Sequence, residues 1–181
     1  MERRAWAAYG CAKYTFTDLA WKPYVKPSYV YLSGDDPTTK KYEGWDSFYA
    51  EWPKWSEGLI YQLYDPFVPL KMTGAGPTDR DLGSWTNMKI AQIEVGAKPT
   101  DKLGLSLSYQ YLWAAESNGL INPHADNRGG LITGIATYQF NKYLAGHLRG
   151  EWFMPGDFYD PKGASPDDGW FARYELMRKC Q

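Results

Sequence analysis

The sequence predicts an all-β protein of antiparallel strands, and three observations lead to this prediction. First, residues 103–113 alternate without interruption between apolar side chains at odd positions and mostly small or polar ones at even positions, which is the period of a strand. Second, the chain has 9 Trp and 15 Tyr but only 7 Phe, so most of its rings carry a polar tip that suits an apolar–water boundary. Third, short and long connections alternate in strict order along the chain.

Composition limits the classes of protein to which the chain can belong. Its 181 residues and formal net charge of −1 indicate a single domain and give no strong field for binding nucleic acid. Mean hydropathy is −0.56, and no apolar run approaches the ~20 residues that a membrane-spanning helix needs. A membrane protein with this composition must therefore cross the bilayer with strands.

Seven strands are predicted from the alternation of side chains. They cover residues 5–16, 21–32, 88–97, 103–113, 132–140, 144–154 and 170–176. Pro23 and Pro27 weaken the second of these, because proline cannot donate a hydrogen bond to a neighbouring strand. Residues 33–84 are predicted to form one long loop that includes the short apolar piece at 59–64, since a further crossing there would break the order of the turns.

Short turns on one side and long loops on the other are typical of outer-membrane β-barrels, in which the apolar face meets lipid and the polar face lines the lumen. The fold class predicted for residues 1–181 is therefore a single, partial, antiparallel transmembrane β-barrel with an extracellular excursion at 33–84. An odd number of strands that starts on the long-loop side predicts the C-terminal portion of a larger barrel.

The predicted lumen face carries the candidate channel-lining residues. These are Lys13, Gln92, Glu94, His147, Arg149, Glu151, Arg173 and Glu175. We expect the charges to brace the wall rather than to contact solute directly, and His147 to be a neutral hydrogen-bonding residue. A register in which residue numbers sum to 324 would place Arg149 opposite Glu175 and Glu151 opposite Arg173. Pairing 96 with 104 would place Glu94 beside Ser106 and Gln92 beside Ser108.

The predicted loops hold two further groups of candidate residues. Trp45, Trp52, Lys54 and Trp55 could contact sugar rings, or the three tryptophans could pack inside a folded loop. The acids Asp35, Asp36, Asp46, Asp157, Asp160, Asp167 and Asp168 could bind calcium, but they lack EF-hand spacing, and solvated loops are the expected state. No metal site or cofactor is predicted, and the two cysteines, Cys11 and Cys180, are expected to be unpaired.

Several stretches resemble the alginate-export family of bacterial outer-membrane barrels. They are residues 32–36 (LSGDD), 52–57 (WPKWSE), 150–157 (GEWFMPGD) and 170–176 (WFARYEL), of which the second is the most specific. The resemblance implies the C-terminal part of a monomeric channel of about eighteen strands with a charged lumen. It further implies outer-membrane lipid, a polar or anionic saccharide solute and the barrel-assembly machinery as partners.

Three functions follow from these features. The first is a passive outer-membrane channel, a porin for a polar or anionic polysaccharide such as alginate. The second is a carbohydrate-binding β-sandwich that uses the Trp-rich loop, which would require the apolar face of residues 103–113 to be buried in a protein core. The third and weakest is a glycosidase using Glu51 and Glu57, for which the sequence shows no opposed pair of carboxylates; no enzyme activity is expected.

Overall fold

A computed structural model describes residues 2–36, 38–45, 86–117, 122, 124–160 and 167–178, and these form one antiparallel sheet. The strands are β1 (Ala7–Cys11), β2 (Tyr14–Thr15), β3 (Tyr24–Leu32), β4 (Met88–Ala97), β5 (Leu103–Trp113), β6 (Asn127–Asn141), β7 (Leu144–Pro155) and β8 (Gly169–Arg178). A short 3-10 helix at Asp157–Tyr159 is the one helical element in these ranges. No helix in the described part of the chain is long and apolar enough to span a membrane.

The predicted all-β, antiparallel class is confirmed, and so is the position of every predicted strand. The order across the sheet is β1-β3-β4-β5-β6-β7-β8, with β2 also paired to β3, so from β3 to β8 each strand lies beside its neighbours in sequence. The bounds of β4 and β5 agree with those predicted from the sequence. The sheet is open, with β1 and β2 along one edge and β8 along the other.

β1 and β2 occupy one edge position, which the sequence predicts as a single strand. Both pair with β3 in the same register, Ala7 opposite Leu32 and Tyr14 opposite Val25. Between them, the amide of Ala12 donates to the carbonyl oxygen of Pro27 at 3.1 Å. Pro27 has no amide hydrogen with which to return that bond, and this accounts for the interruption of the edge strand at this point.

In this sheet the exposed face is apolar and the buried face is largely polar, which is the reverse of a sheet in a soluble protein. We call one the apolar face; its side chains are 42% to 77% exposed and include Tyr29, Ile93, Val95, Leu105, Leu107, Tyr109, Tyr111, Tyr138, Leu148, Trp170, Tyr174 and Leu176. The other, the polar face, includes Ser108, Gln110, Thr133, Arg149 and Glu151, all less than 9% exposed. The described residues place no second protein layer over the apolar face.

The hydrophobic core lies at one end of the sheet, on the same side as the polar face. Its members come from the strand ends that adjoin the long loops, and from the 3-10 helix. They are Val30, Leu32, Met88, Ile90, Leu112, Ala114, Leu131, Phe153, Phe158 and Tyr159, with Trp45 and Phe171 packed against them. This core therefore fixes the loops to the sheet at the long-loop end and leaves the rest of that face polar.

Gly129 in β6 provides a test of the strand geometry. Its φ is +106°, and a Cβ at this position would collide with the carbonyl oxygen of Met154 and approach the amide nitrogen of Gly156 to 2.8 Å. We expect Gly129→Ala to lower the free energy of unfolding by more than about 2 kcal/mol, because strain and collision add. Gly150→Ala is the control, since a Cβ there meets nothing within 4 Å.

Equilibrium unfolding in urea, followed by tryptophan fluorescence in detergent micelles, measures both variants. The control should stay within about 0.5 kcal/mol of the wild type. Equal stability of the two variants would contradict the described conformation at Gly129.

Candidate functional site

The polar face brings together most of the candidate residues predicted from the sequence. Gln92 lies between Ser28 on β3 and Gln110 on β5, and Glu94 lies between Lys26 and Ser108. His147, Arg149 and Glu151 follow one another at alternate positions of β7, and Arg173 and Glu175 do so on β8. Their common face is therefore as predicted, whereas their pairing is different.

Arg149 and Glu151 form a deeply buried ion pair on this face. Nε of Arg149 donates to Oε1 of Glu151 at 2.6 Å, and the side chains are 6% and 0% exposed. Both residues belong to β7, so the pair runs along one strand instead of across two. A buried carboxylate and guanidinium are tolerable only together, because removing either partner leaves an uncompensated charge away from water.

The predicted register between β7 and β8 is wrong by two residues. The numbers of paired residues sum to 322, so that Arg149 faces Arg173, His147 faces Glu175 and Glu151 faces Phe171. The cross-strand pairs Arg149–Glu175 and Glu151–Arg173 are not formed as direct neighbours. Instead, each arginine contacts the glutamate of its own strand, Arg173 Nη2 lying 3.5 Å from Glu175 Oε2.

Aromatic stacking on the apolar face accounts for this register. Trp152 and Trp170 are directly opposed, and their rings stack with centroids 5.0 Å apart and planes 4° from parallel. Nε1 of Trp152 also donates to Asp168 at 2.8 Å. A two-residue shift keeps every side chain on its own face, so alternation alone cannot choose between 322 and 324. The sum of 324 was predicted from the ion pairs, with Trp152, Trp170 and Tyr174 expected to hold the register; the direct stacking of the two indoles favours 322 instead.

The predicted pairing of 96 with 104 is also wrong by two residues. Gly96 faces Ser106, which places Glu94 opposite Ser108 and Gln92 opposite Gln110. The ring of Tyr24 lies over Gly96, where a Cβ would come within 2.5 Å of the ring. This contact joins β3 to β4 and does not explain the shift between β4 and β5.

His147 lies between a cation and a carboxylate. Its Nε2 is 3.2 Å from Nη2 of Arg173 and 3.9 Å from Oε2 of Glu175. Its Nε2 is thus within hydrogen-bonding distance of the Arg173 guanidinium. Within the described ranges, no three His, Cys, Asp or Glu residues are arranged to hold a metal ion.

Lys13 and Glu94 belong to a second polar cluster near β2, centred on Tyr24. The hydroxyl of Tyr24 donates to Oε1 of Glu94 at 2.6 Å, and Lys26 Nζ lies 3.6 Å from the other carboxylate oxygen. Nζ of Lys13 lies 3.7 Å from the centre of the Tyr24 ring. These contacts connect the edge segment that contains β2 to β3 and β4. They support a bracing role for Lys13 and Glu94.

Sequence reasoning missed Arg128, which is 2% exposed at the start of β6. Its Nε donates to the hydroxyl of Tyr159 at 3.0 Å, and its Nη1 donates to the carbonyl oxygens of Thr86 and Asn87, both at 3.2 Å. The guanidinium also lies 4.8 Å from the centre of the Phe158 ring. Arg128 thus ties two connecting segments to the start of β6. Residues 117–129 were predicted as a loop, with the strand beginning at residue 132. In the structure, Arg128 is the second residue of β6.

The loop candidates have mixed outcomes. Trp45 is partly buried against the core, and its amide donates to the carbonyl oxygen of Ser33 at 2.9 Å, so the ring contributes to packing. Trp52, Lys54 and Trp55 lie outside the described residues, as do Glu51, Glu57, Asp46 and Cys180.

Cys11 is an exposed free thiol. The side-chain and backbone hydrogen bonds from Thr38 lower the pKa of Asp36 below its usual value.

Comparison with known proteins finds no matching family model and no curated protein with significant sequence similarity. The resemblance to the alginate-export family therefore stays a prediction from residues.

The buried ion pair makes a specific prediction about stability. We expect Glu151→Gln to cost about 3–5 kcal/mol, because the guanidinium of Arg149 then loses its charged partner in a buried site. Glu175→Gln removes the same charge from a carboxylate that is 42% exposed and should cost less than about 1 kcal/mol. Urea unfolding of the two variants in the same detergent compares them directly. A smaller cost for Glu151→Gln than for Glu175→Gln would be inconsistent with the described burial.

Proposed function

We propose that the sheet is part of the wall of an outer-membrane β-barrel channel that passes a polar or anionic polysaccharide such as alginate by passive diffusion. On this proposal, the apolar face contacts lipid and the polar face lines the lumen. The long loops lie outside the cell, and the short turns lie in the periplasm. The proposal includes the resemblance to the alginate-export family.

The observation that carries the proposal is the exposure of the apolar face. Leu107 is 54% exposed, Leu148 64% and Leu176 62%, while Gln110 and Glu151 on the other face are each 2% exposed. Soluble proteins rarely leave an apolar patch that spans a whole sheet open to water. A bilayer is the solvent in which such a face has a favourable environment.

Aromatic rings at both ends of the apolar face support the same assignment. Near the long loops, Tyr111 contacts Trp113, and Trp152 stacks on Trp170. Near the short turns, Tyr14 contacts Phe16 and Tyr138 contacts Phe140, each with ring centroids 4.9 Å apart. Two belts of rings with an aliphatic band between them match the girdles of outer-membrane barrels.

The open edges of the sheet support a larger barrel. Strand edges exposed to hydrocarbon would leave backbone amides and carbonyls without hydrogen bonds, at a cost of several kcal/mol each. We propose that further strands pair with the β1–β2 edge and with β8. The complete barrel would then have about eighteen strands, as in the alginate-export family that the chain resembles. Insertion of such a barrel would involve the barrel-assembly machinery, and the finished channel would be a monomer.

The composition of the polar face suits a hydrated solute path. Ser, Thr, Gln, Arg, Glu and His side chains can exchange hydrogen bonds with sugar hydroxyls and carboxylates. The ion pairs described above keep the charges fixed to the wall. Direction of transport would follow the concentration gradient of the solute, because a passive channel has no energy source.

Vesicle flotation with planar-bilayer recording tests the proposal. The completed barrel, in which this chain is joined to the further strands proposed above, should float with vesicles after alkaline carbonate treatment, and should give discrete conductance steps that a polyuronate reduces when added to one side. Protein that stays soluble, with the face of residues 103–113 protected inside it, would indicate the β-sandwich instead. Flotation without conductance would contradict the channel.

Adjacent residues of β5 provide a matched pair of variants. Leu107→Lys should cost about 2–4 kcal/mol in a bilayer, because it places a charge on the lipid-facing side near mid-depth. Ser106→Lys adds the same side chain on the polar face, where Ser106 is partly exposed, and should be mild. Folding equilibria in vesicles, measured by urea titration, give both costs. Similar costs for the two variants would exclude the assignment of faces.

A further inference from the structure

The two ends of the sheet differ sharply in charge. We define the short-turn rim as residues 16–23, 98–102, 142–143 and 178. It carries five cations, which are Lys22, Lys98, Lys102, Lys142 and Arg178, against two acids, Asp18 and Asp101. All five cations are exposed.

The opposite end, the long-loop rim, comprises the other described connections and the segment before β1. It carries ten acids and four cations. The acids are Glu2, Asp35, Asp36, Glu43, Glu116, Asp126, Asp157, Asp160, Asp167 and Asp168, and the cations are Arg3, Arg4, Lys40 and Lys41. A β-sheet has only a small net dipole of its own. The charged side chains of the described residues therefore give this sheet one positive end and one negative end.

The side chains of the short-turn cations make few contacts with the residues that the structure describes. In the part of the chain that the structure describes, none of the five forms an ion pair with a carboxylate. The contact recorded for one of them is with an aromatic ring, where Nζ of Lys142 lies 4.7 Å from the centre of the Tyr143 ring. Their charge is therefore available to an external partner.

Apolar side chains accompany these cations. Leu19, Trp21, Phe140, Tyr143 and Met177 are 39% to 63% exposed on or next to the rim. Rings and lysines side by side are typical of the zone where a bilayer changes from hydrocarbon to headgroups.

Backbone hydrogen bonds join the turns into one continuous rim. The amide of Lys98 donates to the carbonyl oxygen of Trp21 at 2.7 Å, which links the first turn to the second. The amide of Gln139 donates to the carbonyl oxygen of Lys102 at 2.9 Å, which links the second to β6. The backbone positions of these cations are thus fixed along an edge that continues directly into the apolar face.

We propose that the short-turn rim is a docking surface for the anionic headgroups of a phospholipid leaflet. The inference rests on the proposed function, because a leaflet reaches this rim only if the apolar face is in the bilayer. Charge complementarity selects phosphatidylglycerol-type headgroups over zwitterionic ones, and the acidic long-loop rim disfavours the same lipids at the other end. The rim would therefore orient the sheet with its short turns toward the phospholipid leaflet.

The test compares refolding into vesicles of phosphatidylcholine with refolding into vesicles that also contain phosphatidylglycerol. At about 50 mM salt, we expect the partition coefficient to be about tenfold higher for the anionic vesicles, and the difference to disappear near 0.5 M salt. The variant K22Q/K98Q/K102Q/K142Q should lose the difference. The control R3Q/R4Q/K40Q/K41Q removes four cations from the long-loop rim and should keep it.

The outcomes separate the two proposals. Entry into both kinds of vesicle without a preference, or a preference that the four short-turn substitutions leave intact, would overturn the docking surface alone. Failure of the completed barrel, this chain joined to the further strands proposed above, to enter any vesicle would overturn the membrane assignment on which it rests. If the short-turn variant does not fold, the wild-type salt dependence decides, because a salt-independent preference contradicts headgroup binding. Equally tight binding of soluble polyphosphate without vesicles would assign the rim to a soluble polyanion instead.

Discussion

The structure depends on one constraint, which is that the large apolar side chains of the sheet face away from its polar and charged side chains without a protein layer to cover them. Along β5, the exposed positions are the apolar ones and the buried positions are mostly polar or small. In water this arrangement would forgo about 25 cal/mol for every Å² of apolar surface left exposed. The same arrangement is favourable where hydrocarbon surrounds the sheet. The stability of the fold therefore depends on what contacts its apolar face.

The polar face follows from the same constraint. Once the apolar side chains point outward, charges such as Arg149 and Glu151 are directed to the side that the loops cover, and they are stable there only as a pair. The hydrophobic core contracts to the long-loop end, where Arg128 and its partners hold the loop segments together. Buried apolar packing is thus concentrated at one end of the sheet. The opposite end carries lysines that form no ion pair among the described residues.

Much of this fold could be predicted from the sequence, because alternation of side chains reports directly on which face a residue occupies. The strands, their antiparallel order and the common face of Glu94, Arg149 and Glu175 all follow from a period of two. The register could not be predicted, since shifts of two residues preserve that period. Between β7 and β8 it accompanies a particular contact, the Trp152–Trp170 stack, whose geometry appears only in three dimensions. Arg128 was missed because a strand that begins with Asn-Arg-Gly-Gly looks like a loop in sequence.

The central claim is that the apolar face contacts lipid, and the most direct test is a scan of spin labels along residues 103–113 in vesicles, with Cys11 and Cys180 replaced by serine. Collision of each label with oxygen, which concentrates in the bilayer, is compared with collision with a water-soluble nickel chelate. The account predicts that odd positions favour oxygen and even positions do not, with a period of two. Odd positions that favour the nickel chelate, or that neither reagent reaches, would contradict it.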